Sequence, residues 1–116
     1  MNLDSIRKYC LKKKGVTECF PFDEVTLVFK VIDKIFLLLS TDEFPIRMNL
    51  KFDPERAVEL REKYDSVIPG YHMSKKHWNS IFLDGSVPDK ELYEWIDNSY
   101  LLVALTLKKS YRAKLE

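Results

Sequence analysis

Five consecutive apolar residues, Ile35-Phe36-Leu37-Leu38-Leu39, stand between Lys34 and Ser40. A strand sends alternate side chains to opposite faces, so a run of this kind is apolar on both and needs cover over most of both. That requirement places it centrally in a sheet and obliges its neighbours to pair with it or pack over it. Residues 25–31 meet the first demand: Val25, Leu27, Phe29 and Val31 alternate with Thr26, Val28 and Lys30, and the two-residue link Ile32-Asp33 makes a hairpin with the apolar run. Ile46, Met48 and Leu50 then alternate with Arg47, Asn49 and Lys51, which predicts a third strand with one wet face.

Helical spacing appears on both sides of this core. Leu3, Ile6, Cys10 and Leu11 define an amphipathic helix over residues 3–14, closed by Gly15. Asp53-Pro54-Glu55 supplies an N-cap, a proline at the first helical position and an early acid, opening a helix to about Tyr64. Ser86 stands three before Asp89, the spacing of a capping box. The helix it opens runs to about Leu107 with Leu92, Trp95, Ile96, Ser99, Val103 and Leu107 inward. Residues 16–23, with Pro21 between two phenylalanines, read as an ordered loop that buries aromatics. Residues 67–84 read as a second hairpin turning at Ser74-Lys75-Lys76. The expected order is α-β-β-β-α-β-β-α: an α+β domain in two layers, spanning residues 1–116, with a mainly antiparallel sheet of about five strands and helices on one face.

Nineteen Lys and Arg against 18 Asp and Glu leave a formal net charge of +1, so any grip on a polyanion must come from local clusters. Cys10 and Cys19 have neither the spacing nor the companions of a zinc site or a redox pair, and reduced thiols are expected. Cys10 belongs to an inward stripe, as a small core residue. The first residues lack the features of a secretory signal and no apolar run approaches 18 residues; the expectation is a cytoplasmic protein with no membrane span, no cofactor and no structural metal.

The chain carries a specific set of motifs in order: Phe20-Pro21-Phe22, Phe29-Lys30-Val31 with Lys34-Ile35-Phe36, Asn49-Leu50-Lys51, Asp53-Pro54-Glu55, Pro69-Gly70-Tyr71-His72-Met73, Lys76-His77-Trp78-Asn79, residues 84–89, and Ser99-Tyr100. This set resembles the MmcQ/YjbR family. The resemblance implies a fold similar to frataxin-like and secretion-chaperone-like proteins, and a double-wing mode in which β-hairpins grip duplex DNA. Asp33 replaces a usual turn glycine, a change that aspartate tolerates in the left-handed region, and Ser74 replaces a frequent asparagine.

Three clusters are candidates for contact with DNA. Lys75, Lys76 and His77 at a hairpin tip place two permanent charges and one titratable donor where a duplex backbone can be touched. Lys108, Lys109 and Arg112 lie in a basic tail. Lys12-Lys13-Lys14 reads first as a solvated helix end, since cations there complement the helix dipole. His72, His77 and Trp78 invite comparison with a general base oriented by Asp84 or Asp89. No nucleophile, glycine-rich phosphate loop or HExxH-type ligand spacing accompanies them, and a structural role is expected in place of an enzyme. Double-stranded DNA is therefore the leading partner, with protein interaction as the competing function.

Overall fold

The apolar run is the third of six strands: β1 (Val16–Cys19), β2 (Thr26–Val31), β3 (Lys34–Ser40), β4 (Arg47–Lys51), β5 (Val67–Pro69) and β6 (Trp78–Phe82). They form one antiparallel sheet ordered β1-β2-β3-β4-β6-β5. Four helices accompany it: α1 (Leu3–Leu11), α2 (Pro54–Lys63), α3 (Asp89–Ala104) and the short α4 (Lys109–Arg112), followed by a 3₁₀ turn over Ala113–Leu115. This computed structural model describes residues 1–70 and 73–116.

One face of the sheet presents Leu27, Phe29, Val31, Leu37, Leu39, Met48, Leu50 and Ile81 to the helices. They share a single buried cluster with Ile6, Cys10, Ala57, Leu60, Trp95, Ile96 and Val103. The α+β order and the antiparallel sheet are as expected, and Trp95 and Ile96 are buried. The additional strand is β1. Glu18 within it binds Arg7 of α1 through Nε at 2.8 Å, so a segment with no clear period is drawn into the sheet by pairing with β2 and by an ion pair. The phenylalanines that follow it are not buried as expected: Phe20 is 50% exposed and Phe22 67%.

Other local expectations shift too. Ser86 does not cap α3; Pro88 holds that position, while the Ser86 hydroxyl is hydrogen-bonded to the Ser66 hydroxyl and its backbone N–H donates to Asp84. Asp53 sits at the N-cap of α2 without a side-chain cap bond. In the β2–β3 turn the left-handed residue is Ile32, at φ 60°, and not Asp33. A β-branched residue there carries roughly 1–2 kcal/mol of steric cost. Its backbone N–H donates to Gly15 O at 2.8 Å, and its partly buried side chain packs against the core cluster, which hold it in place.

Phe36 is an extra residue on β3. Phe29 pairs with Leu37 but Lys30 with Ile35, so Phe36 bulges out of register. On the other edge of β3, pairing with β4 stops at Leu37 and Leu50. Where Phe36 and Lys51 would bond next, the fully buried Ser99 of α3 is inserted. Its hydroxyl donates to Phe36 O at 2.6 Å and accepts from Lys51 N at 2.9 Å. One hydroxyl thus completes the ladder and ties helix to sheet.

Replacing Ser99 with Ala leaves a buried carbonyl and N–H without that partner, and each such orphan costs roughly 1–3 kcal/mol. S99A is expected to lose about 2 kcal/mol in urea unfolding, with Gly no better; an unchanged midpoint refutes this role. Burial also pushes the Cys10 thiol up from 9.0 to about 12, and burial with the bond to Asp97 pushes the Tyr9 hydroxyl from 10.0 to about 12. Both groups are raised in the folded state, so the stability they contribute is complete below their ordinary values and lost as pH climbs toward 12. The urea midpoint should therefore fall between about pH 9 and pH 12, and C10A should flatten the early part of that fall.

Candidate nucleic-acid interface

Register decides which loops share an end of the sheet. Val16 pairs with Val31, Val31 with Lys34, Leu37 with Leu50, and Lys51 with Trp78. The start of β1, the β2–β3 turn, the end of β4 and the connection from β5 to β6 therefore lie at one end. The C-terminal half of α3 reaches the same place: Tyr100 donates to Lys14 O at 2.6 Å, and Lys34 Nζ donates to Thr106 O and Oγ1 at 3.2 and 3.1 Å.

This topology gathers basic residues that are scattered in sequence. Lys75 and Lys76 occupy an exposed turn, and His77 beside them is half-buried. The backbone of His77 is engaged on both sides, its N–H to Ser74 O at 3.3 Å and its carbonyl accepting from Phe52 N at 2.7 Å. Arg61 of α2 braces the turn from below. Its Nη2 donates to the Lys75 and Trp78 carbonyls and its Nε to the buried Asn79 Oδ1 at 2.6 Å. Gly70 closes the base of the connection: its N–H donates to Trp78 O at 2.8 Å, and a Cβ here would meet Trp78 Cβ at 2.8 Å.

The expected basic tail is ordered. Lys108 precedes α4, which carries Lys109 and Arg112, all three exposed. Leu115 follows close to Gly15 and Ile32, which sets the tail beside the β1–β2 side of the same end. The turn and the tail thus flank the end, the turn on the β6 side and the tail on the β1–β2 side. Between them stand Lys30, Lys34 and Lys51, which sequence patterning assigned to three separate strands and not to one cluster. Their signal was position: each sits at the strand terminus that register brings here. The Lys12-Lys13-Lys14 cluster splits. Lys13 is committed to Asp97 and lies 4.8 Å from the Tyr9 ring centroid, whereas Lys12 and Lys14 are exposed. Asp33 and Asp53 are the carboxylates nearest in sequence to these basic positions, followed by Glu18, Glu55 and Glu116.

The opposite end collects acid. Asp23 and Glu24 follow β1, Asp42 and Glu43 follow β3, and Asp84 follows β6. Asp23 is held below the usual carboxylate range by the backbone N–H groups of Thr26 and Val25, and Asp84 by the Ser86 hydroxyl and N–H. Both stay ionised.

The pairing of His72 with His77 falls outside the described residues, because residue 72 is not among them. Among the described residues no three His, Cys, Asp or Glu side chains gather as metal ligands, and no helix is long and apolar enough to cross a membrane.

A protein-family model described as YjbR matches residues 11–102. Escherichia coli K12 YjbR is 34% identical over 100 residues, covering 86% of this chain and 85% of that protein. Bacillus subtilis YyaQ is 44% identical over 114 residues, covering 85% and 95% respectively. In structure, the chain is similar to Deinococcus radiodurans protein DR2400, with a TM-score of 0.92 at 42% identity over 98% of this chain and 87% of that one. A Pseudomonas syringae protein gives 0.77 at 29% identity over 89% and 99%.

The bracing role of Arg61 is open to direct test. R61A removes three hydrogen bonds to the turn and its base, and amide exchange of residues 75–78 should speed up at least tenfold while the β2–β3 ladder is unchanged. Unchanged exchange at the turn refutes it.

Proposed function

The chain belongs to the YjbR family, and from that membership together with its charge layout we propose that it binds double-stranded DNA, with little sequence preference, through the basic end of its sheet. The observation that carries this reading is the gathering of Lys75, Lys76, Lys108, Lys109 and Arg112 at one end of a molecule whose net charge is only +1. Flexible lysines on a turn reach phosphates at little desolvation cost, and such contacts give affinity without sequence information. His77 supplies a further donor from the same turn. The reading needs no catalytic residue, cofactor or metal, and places the protein in the cytoplasm with the DNA it contacts.

A second reading, a protein-interaction domain, rests on the acidic end. Phe44 is 99% exposed there and Phe22 67%, on two loops whose flanking residues meet where Thr41 N donates to Val25 O at 2.8 Å. Large exposed aromatics grouped among carboxylates suit a basic protein segment with apolar anchors.

Titration of random-sequence duplex at two salt concentrations decides between them. Each lost phosphate contact lowers the salt slope by about one, so K75A/K76A should lower it by roughly two and weaken unrelated sequences alike. Stability should move by less than about 0.5 kcal/mol, as for exposed turn residues generally. Wild-type protein that binds no duplex at low salt removes the DNA reading and leaves the protein-interaction one.

A further inference from the structure

The helices cover one face of the sheet, yet the centre of the other face is also buried: Val28 is 0% exposed, Leu38 7%, Asn49 6% and Ser80 0%. Two segments flank that face, residues 20–25 and residues 73–77. Between them, along β3, runs a cleft of about 380 Å³ lined by Phe22, Asp23, Thr26, Ile35, Leu38, Ser40, Arg47, Asn49 and Met73. Its size falls in the range of small-ligand sites, roughly 300–1,000 Å³, and so does its make-up, apolar walls with a few convergent polar groups.

The polar groups are fixed in place. Arg47 donates from Nη2 to Ser40 Oγ at 3.0 Å and from Nη1 to Glu43 at 3.1 Å. Ser80 donates to Asn49 Oδ1, which turns the carboxamide so that Nδ2 is its donor end. Donors and acceptors set beside the apolar side chains Phe22, Leu38 and Met73 match the edge and faces of a planar heteroaromatic ring.

Charge orients such a ligand. Asp23 and Glu43 stand at the end of the cleft marked by Ser40 and Arg47, and Asp23 is kept ionised by backbone donors. At the other end Lys30 pairs with Ile35, which lines the cleft, and Lys51 lies two residues beyond Asn49 on the same strand. Strand alternation puts both lysines on the cleft's face, with Val28 and Asn49. An anionic group is repelled from one mouth and attracted to the other.

We propose that this cleft binds a nucleoside monophosphate unit, base between Phe22 and Leu38 with its edge at Asn49, phosphate toward Lys30 and Lys51. The unit is either a free nucleotide or an unpaired nucleotide of a strand held at the basic end. The site is separate from the Lys75-Lys76 turn and stands without duplex binding.

The test is a heteronuclear NMR titration of the full chain with AMP, GMP, CMP and UMP in turn. Saturable shifts at Thr26, Leu38 and Asn49 are expected with at least one of the four, and the matching nucleoside without phosphate should bind at least tenfold more weakly. K30A/K51A should erase that difference. L38W fills the cleft and should abolish the shifts; if it fails to fold, T26W at the half-exposed rim replaces it. A duplex with one unpaired nucleotide then identifies the source: cleft shifts at tenfold lower concentration than with the free nucleotide assign the strand, and the reverse order assigns the free nucleotide. Absence of saturable shifts with all four nucleotides overturns the proposal, as do shifts that persist in the filled cleft or that map to Lys75 and Lys109 alone. Fully paired duplex binding by the cleft-filled variant reports on the turn independently, so either idea can fail without the other.

Discussion

The hydroxyl of Ser99 sits where helix, bulge and ladder meet. At Phe36 a bulge shifts the pairing of β3 with β2, so that one register holds before it and another after. The bulged carbonyl and the Lys51 N–H opposite would be buried without partners, and a single serine from α3 satisfies both. Because α3 packs over β2, β3 and β4, this contact fixes the helix along the sheet as well as across it. Its C-terminus is thereby delivered to the end where the β2–β3 turn projects, and Lys34 closes onto Thr106. The position of the basic tail follows from that chain of contacts.

The fold was legible where one period dominated. The double-faced run of β3, the alternation in β2 and β4 and the inward stripe of α3, Ser99 included, could all be read from spacing. Failures came where tertiary contacts outweighed local pattern. Nothing periodic marks residues 16–19; their strand exists because β2 offers a free edge and Arg7 a countercharge for Glu18. Ser86 has capping spacing, but Asp84 and Ser66 offer its polar groups partners outside the helix. The wet face expected for β4 is dry at Asn49, because segments far along the chain close over it.

The candidate surface was legible only in part for a similar reason. Lys75, Lys76 and the tail announce themselves as clusters, whereas Lys30, Lys34 and Lys51 are single charges in separate strands. They become a group through register, which no local window contains. Lys13 shows the converse: one of three adjacent lysines is withdrawn from solvent by Asp97 and two tyrosine rings. Clustering in sequence and availability in space are different properties.

Net charge misleads in this molecule because its two ends are too far apart to cancel. The 16 residues of α3 alone run roughly 24 Å from the acidic end toward the basic one, at about 1.5 Å per residue. At physiological ionic strength the Debye length is about 8 Å, so a phosphate backbone at the basic end is screened from Asp23, Asp42 and Asp84 across about three such lengths. At 0.01 M salt the length grows to about 30 Å and the acidic end is felt. On the proposed DNA reading, repulsion by that end would then partly offset the usual gain on lowering salt, and the basic end would meet a polyanion independently at physiological ionic strength and less so in dilute buffer.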